Sequence, residues 1–506
     1  MSFGSRVPST PILTPMYNLG YMLDIPTGEY HEGEYGNYVL NGGWGDIMSI
    51  TGIGHSYKST ENTCFELRVL DRYLCAEAHK YDSENVMSPS RANELGIRMV
   101  NISKIDFMDP DDPNIGRYTI SSMGTVTADG KVFYGDLFQE QVQNYALEVF
   151  KDKKAKLYTT PFFIGKHQVK VKKPLFLSYD SLSMLKFSKI EEGVVEDHKL
   201  GDSEQNTIAM TEGRLKTQLN NSMPALCRMA EIRICMTAHT QKVGGIVGKF
   251  DAPKQRLIYG KRDYEIKGVG TSFIKINGLI IDIQSCDKFN NKEAKTGVMY
   301  PLVESDRSEH CTDLNLLTIV IARNKTGSSG MTISHIVSQR EGILEHLGMF
   351  KTLRDHGPGI GFGMTGDKTK QSHVMVPDIT LTRTTVREKI NNSYTLRRAF
   401  EVTSELLQQR YIFSPESNIY WCTPEELYKD IKEQGYNWET LLGKSRYYWV
   451  FKEEEHMNLP QLTTMDLLRM RAGLYTPYWL KSDFIEKAKG KLREVLDTIP
   501  KTELRG

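Results

Sequence analysis

The sequence predicts an α/β fold with a largely parallel sheet, and three observations carry that expectation. Short apolar runs alternate with longer amphipathic stretches between residues 36 and 345, the pattern of strands joined by crossover helices. One run, Asp46-Ile-Met-Ser-Ile-Thr, passes through a Gly-rich turn into an amphipathic stretch from Ser59 to about Ala78, which reads as strand, turn and helix. Another, Pro174-Leu-Phe-Leu-Ser-Tyr-Asp180, is apolar until it stops at an acid. Open α/β sheets bind their ligands at such strand ends.

The remaining elements follow in order. Residues 1–37, rich in Pro, Gly and Tyr and without clear periodicity, are expected to form an N-terminal arm. The core is expected over 38–345. Within it a short strand spans Ala78–Asp82, a helix ends at Gly96, and the basic segment Lys166–Lys173 reads as an extra hairpin. Glu212–Ala230 reads as helix and Ile232–Ala238 as strand. Phe273-Ile-Lys-Ile, Gly278-Leu-Ile-Ile-Asp-Ile and Leu316–Ala322 read as further strands. Residues 346–394 are expected to form a Gly-rich hairpin and connector, and 395–506 a mostly helical C-terminal domain with its own small core. Four of the five tryptophans lie there. Thr423-Pro-Glu-Glu426 carries the signs of a helix start: Thr as cap, Pro in the first turn, Glu three residues on.

Composition excludes several classes. With 506 residues, two to four domains are expected. Charged residues at 25% and hydrophobic residues at 39% exclude a disordered or collagen-like chain. No run approaches 18 apolar residues, so no membrane span or membrane partner is expected. The first 15 residues lack the apolar stretch of a secretory leader. Seven cysteines form no C-x-x-C pair, which fits free thiols in a reducing cytoplasm. Lys and Arg total 64 against 63 acids, so any nucleic-acid binding must rest on local patches.

The Gly-rich turn carries the clearest chemistry. Gly52-Ile53-Gly54-His55-Ser56-Tyr57-Lys58-Ser59-Thr60 follows a strand and opens a helix. A triphosphate needs backbone N–H groups around it, a lysine bridging its β and γ oxygens, and a hydroxyl on Mg²⁺. The spacing supplies all three, with Tyr57 where the second glycine usually stands. Asp180 ends its strand where a carboxylate can hold the Mg²⁺ water shell opposite Ser59. In Tyr81-Asp82-Ser83-Glu84 a second carboxylate ends a strand where it can face the γ-phosphate and orient a water. ATP and Mg²⁺ are the expected cofactors, with Ser59 and Asp180 at the metal.

This ordered set resembles the RecA family of DNA strand-exchange ATPases, and most closely its phage, UvsX-like branch, over roughly residues 38–375. The resemblance implies a RecA-like P-loop ATPase core. It also implies a protein that polymerises on single-stranded DNA and exchanges strands with a duplex. Tyr57 looks like the phage branch, and Glu84 matches the family's catalytic glutamate. His239, in Met236-Thr-Ala-His-Thr240, occupies the place of the polar γ-phosphate sensor. Arg323 and Lys325 resemble paired basic residues that reach a neighbouring protomer's ATP, which implies self-assembly as a helical filament or a ring. Arg340-Glu341-Gly342-Ile343 follows where the family has a similar Glu-Gly-Ile. A loader or single-strand-binding protein is a further partner that the sequence leaves open. The phage-like loop implies residence in the cytoplasm of an infected bacterial host.

DNA contacts are expected on residues 244–273, which hold six cations (Lys249, Lys254, Arg256, Lys261, Arg262, Lys267) against three acids, with six glycines. Flexible cations with interleaved Phe250, Tyr259 and Tyr264 suit a single strand's phosphates and bases. A second loop at about 186–207 is acidic and is given no phosphate contacts. Gly361-Phe-Gly-Met-Thr-Gly366 fits a dinucleotide fingerprint but follows no βαβ strand, so a hairpin turn is expected. Glu309-His310-Cys311 lacks a second ligand pair at a metal-binding spacing. Two alternatives stand beside the recombinase: a DnaB-like replicative helicase, and a structural DNA-binding or virion protein with a residual nucleotide site.

Overall fold

The computed structural model describes residues 26–32, 38–42, 46–72, 76–95, 117–127, 130–152, 156–164, 167–188, 190–191, 204–230, 232–243, 255–289, 299–302, 313–325, 329–356, 361–411, 420–445 and 462–480. The chain has the expected α/β fold, built on a largely parallel sheet. Within the stretch expected to be an aperiodic arm and just after it, β1 (Pro26–Glu32) and β2 (Tyr38–Gly42) pair antiparallel in a sheet of their own.

The core begins with β3 (Ile47–Gly52), buried along its whole length. A strand covered on both faces needs continuous apolar residues or polar ones with partners. The two hydroxyls of β3 meet that demand: Ser49 donates to Asn277 Oδ1 at 2.7 Å and Thr51 to Asp282 Oδ1 at 2.7 Å. The amphipathic stretch that follows divides into α1 (Lys58–Arg72) and β4 (Glu77–Asp82). Next come α2 (Pro89–Glu94), β5 (Tyr118–Ser122) and α3 (Gly135–Lys151). The basic segment forms the second arm of a hairpin, β6 (Leu157–Ile164) with β7 (His167–Lys172). It leads into the fully buried β8 (Leu175–Asp180).

Helix α4 (Glu204–Ala230) starts eight residues before the expected position and carries Pro224 inside it. Strand β9 (Ile232–Lys242) is buried as far as Ala238 and then emerges. There β10 (Tyr264–Ile266) pairs with it antiparallel. Phe273-Ile-Lys-Ile, expected as a strand, is a four-residue helix, α5 (Phe273–Ile276). The chain must reverse there to enter the sheet again, and Asn277 Nδ2 closes the turn on Phe273 O at 2.8 Å. Strands β11 (Leu279–Lys288), β12 (Leu314–Asn324), β13 (Thr332–Ser338) and β14 (Gly342–Ile343) complete the sheet.

The strand order is β14-β13-β12-β11-β3-β9-β8-β4-β5. From β11 to β5 every neighbouring pair is parallel; β12, β13 and β14 follow in antiparallel pairings. Alternate side chains of a strand face opposite sides, and Met48 and Ile50 join one apolar cluster while Ile47 joins the other. The first cluster continues into α6 (Glu345–Asp355), the hairpin strands β15 (Met364–Gly366), β16 (Gln371–His373) and β17 (Val376–Leu381), and the helices α7 (Val386–Asn392) and α8 (Tyr394–Tyr411). It runs on through α9 (Pro424–Glu433), α10 (Trp438–Gly443) and α11 (Thr464–Arg471). Apolar packing therefore crosses residue 394/395, where the sequence suggests a division. Thr423 caps α9 as its sequence predicts, with a reciprocal capping box through Glu426. The glycine fingerprint at 361–366 lies in the β15–β16 hairpin. Among the described residues, no helix is long and apolar enough to cross a membrane.

Candidate nucleotide site

Parallel pairing aligns the C-terminal ends of four neighbouring strands. Gly52 on β3 pairs with His239 on β9, and Asp82 on β4 pairs with Asp180 on β8. Lys58, Ser59, Glu84, Asp180 and His239 are therefore gathered at one end of the sheet.

The loop is shaped by contacts within it. A Cβ on Gly52 would meet Ser56 Oγ at 2.8 Å and the Ile283 carbonyl at 3.2 Å, so no side chain fits there. Ser56 Oγ and Lys58 Nζ both donate to the Ile53 carbonyl, at 2.8 and 2.7 Å. His55 and Tyr57 have φ of 57° and 60°, the left-handed region that favours glycine. Tyr57 is held there by its side chain, which packs on the apolar cluster and accepts a hydrogen bond from Asn315 Nδ2 at 3.0 Å. Burial raises its phenol above the ordinary value. Burial also lowers the Lys58 ammonium, against the opposing pull of Glu84 and Asp180.

Asp180 and Ser59 meet directly: Ser59 Oγ donates to Asp180 Oδ1 at 3.0 Å, and Thr237 Oγ1 donates to the same oxygen at 2.6 Å. The other oxygen, Oδ2, is buried without a hydrogen-bond partner, 3.5 Å from the Lys80 ammonium. A buried carboxylate oxygen left this way beside a serine hydroxyl is what a Mg²⁺ water shell satisfies. The donor set therefore fits a nucleoside triphosphate with Mg²⁺, held by the loop amides, Lys58, Ser59 and Asp180.

Glu84 lies beside this group. Its Oε1 accepts from Ser181 Oγ at 2.8 Å and faces His239 Nε2 at 2.8 Å. The His239 contact, then Ser181 and the Lys58 charge, hold its carboxyl down at about 2. A carboxylate that weakly basic orients a water better than it accepts a proton. The backbone of His239 continues the chain of contacts: its N–H donates to Ser183 Oγ, Ser183 Oγ donates to the Lys267 carbonyl, and the Lys267 N–H donates back to the His239 carbonyl. The segment after β10 is thus tied to the residue that touches Glu84.

The expected cationic loop is only partly described; Lys249 and Lys254 lie outside the described residues. Arg256 is exposed, and the Arg262 side chain is 96% exposed. Beside them Ile258 is 93% exposed. Lys261 is engaged internally, with its N–H on Asp282 Oδ2, its ammonium on the Gln284 carbonyl at 3.1 Å and over the Tyr264 ring. Lys267 pairs with Glu265 at 2.9 Å. The Glu309-His310-Cys311 triplet and residues 192–203 of the acidic loop also lie outside the described residues.

Arg323 and Lys325 are not at the site. Arg323 pairs across the ladder with Ile280, whereas Ile283 pairs with Gly52. Three ladder positions amount to roughly 10 Å, and they run toward the opposite end of the sheet. There Arg323 Nε donates to Asn277 O at 3.2 Å and Lys325 Nζ to Lys275 O at 3.1 Å. Burial and the neighbouring Arg323 lower the Lys325 ammonium.

Sequence reasoning missed Thr237, Ser181 and the buried group of Lys80, Glu66, Ser178 and Tyr118 behind Asp180. Ser181 is readable as the neighbour of Asp180. For Lys80 the only signal is a charged side chain inside a strand flanked by buried positions.

No known protein family matches the chain, and no curated protein matches it. Among solved structures the chain is similar to the crystal structure of the RadB recombinase. That likeness has 12% identity and a TM-score of 0.29, covering 60% of this chain and 92% of that one. It is also similar to the ATPase domain of a helicase, with 11% identity and a TM-score of 0.31, covering 59% of this chain and 83% of that one. At these values neither likeness bears on what the chain does.

Proposed function

We propose that the protein is a RecA-like, UvsX-type recombinase: a DNA-dependent ATPase that assembles on single-stranded DNA and catalyses homologous pairing and strand exchange. The observation that carries this reading is the gathering of Lys58, Ser59, Asp180, Glu84 and His239 at adjacent strand ends, with His239 linked through Ser183 to Lys267. Bound ATP with Mg²⁺ supplies the phosphoryl group and the charge neutralisation for its transfer. Lys58 and the loop amides bind the phosphates, Ser59 and Asp180 hold the metal side, and Glu84 orients the attacking water. His239 senses the γ-phosphate by exchanging its contact with Glu84, which alters its hold on the segment that carries Arg256 and Arg262.

The assembly follows from the placement of Arg323 and Lys325. Cations at the opposite end of the sheet serve a phosphate site only across a subunit boundary. Electron micrographs of the protein with single-stranded DNA and a non-hydrolysable ATP analogue test the reading, together with an ATP-dependent strand-exchange assay. Helical filaments and exchanged strands are expected. Closed rings that unwind a forked duplex, without strand exchange, would replace it with a replicative helicase.

Arg256 and Arg262 carry the DNA prediction, because Lys261 and Lys267 already have partners within the chain. Changing both arginines to Ala is expected to lower the salt dependence of single-strand binding by roughly 1.4, at ~0.7 per phosphate neutralised. An unchanged slope places the phosphate contacts elsewhere.

A further inference from the structure

Lys80 is fully buried on β4, a position lysine rarely takes without paired charges. Its ammonium lies 3.4 Å from Glu66 Oε1 and 3.5 Å from Asp180 Oδ2, and it donates to Thr63 Oγ1 at 3.1 Å. Glu66, on the phosphate-loop helix α1, is already well supplied. Ser178 Oγ donates to its Oε1, and Tyr118 Oη donates to its Oε2 at 2.7 Å. Asp180 is different, because its Oδ2 has the lysine charge nearby and no hydrogen bond.

We propose that Lys80 is a built-in counter-cation for Asp180, competing with Mg²⁺ for that carboxylate and so setting the Mg²⁺ concentration at which the nucleotide site loads. The proposal rests on the nucleotide-site reading above. Two buried carboxylates, Glu66 and Asp180, approach the same ammonium, and without it they would face each other uncompensated. While no metal is bound, Lys80 holds the pair together and keeps Asp180 turned toward Ser59 and Thr237. A divalent cation arriving beside Asp180 meets this fixed positive charge within a few ångströms, where repulsion is only partly screened. Lys80 touches neither substrate nor water, so it acts as a positioning residue. It links α1 to β8 behind the metal side of the site.

The test is a Mg²⁺ titration of the full chain against a fixed concentration of fluorescent ATP analogue, read as binding. Because Lys80→Met alone leaves Glu66 unpaired, the main variant combines Lys80→Met with Glu66→Gln, and Glu66→Gln alone is the control. The double variant is expected to reach half-saturation at Mg²⁺ at least about fivefold lower than wild type. Lys80→Arg keeps the charge and is expected to hold the wild-type midpoint. Half-saturation unchanged or raised in the double variant, or a lowered midpoint in Lys80→Arg, overturns the proposal. Failure of the wild type to bind the analogue at any Mg²⁺ concentration would instead overturn the nucleotide-site reading.

Discussion

Glu84→Gln is expected to bind ATP normally and to hydrolyse it about 10² to 10⁴ times more slowly, the range for losing a positioned acid–base group. The substitution suits the geometry, because a glutamine oxygen can still accept from Ser181 and His239 as Glu84 Oε1 does. What is lost is the charge that orients the attacking water. Filaments formed by this variant on DNA should persist, since hydrolysis is the step that releases them. Rapid-quench hydrolysis together with nucleotide binding checks this outcome; wild-type turnover would remove Glu84 from the mechanism. Acidity gives a companion expectation. With its carboxyl held at about 2 in the folded chain, below the ordinary 4.5, Glu84 is ionised throughout pH 5–8. The rate should show no acid limb from Glu84 in that window. The stability it contributes is present above about pH 4.5 and is lost only as pH falls through about 2.

Arg323→Ala is expected to bind nucleotide and to lose roughly 10³-fold or more of the hydrolysis rate, as for a missing transition-state cation. The register places this side chain at the far end of the sheet from its own phosphate loop, so the loss must arise between subunits. Mixing it with Lys58→Ala makes that explicit. In mixed assemblies some interfaces pair an intact loop from one variant with an intact Arg323 from the other. Those interfaces should hydrolyse ATP although neither variant does alone. Mixed assemblies that form and stay inactive would show that Arg323 has only a structural part, which its contact with Asn277 O would then explain.

The parts of this molecule legible in its sequence are those encoded over short distances. The loop from Gly52 to Thr60, the acid that ends β8 and the capping box at Thr423 each follow from neighbouring residues. The α/β class followed from the alternation of apolar runs and amphipathic stretches. Pairings across the sheet were not legible. Nothing local reveals that Lys80 meets Glu66 and Asp180, or that Ser183 bridges His239 to Lys267, because each link joins segments brought together only by strand order. Lys261 illustrates the same limit from the other side. In sequence it is one more cation in a glycine-rich loop, but β11 offers it the Gln284 carbonyl and Tyr264 offers it a ring. Phe273-Ile-Lys-Ile has too few residues for alternation to separate strand from helix, and the need to turn before β11 decided it.

The most direct measurement is the steady-state rate of ATP hydrolysis by the wild type with and without single-stranded DNA, beside Lys58→Ala and Glu84→Gln. Single-stranded DNA should raise the wild-type rate, and both variants should be nearly inactive in either condition. A rate indifferent to DNA, or one that survives both substitutions, would contradict a DNA-coupled ATPase at the ends of β3, β4, β8 and β9.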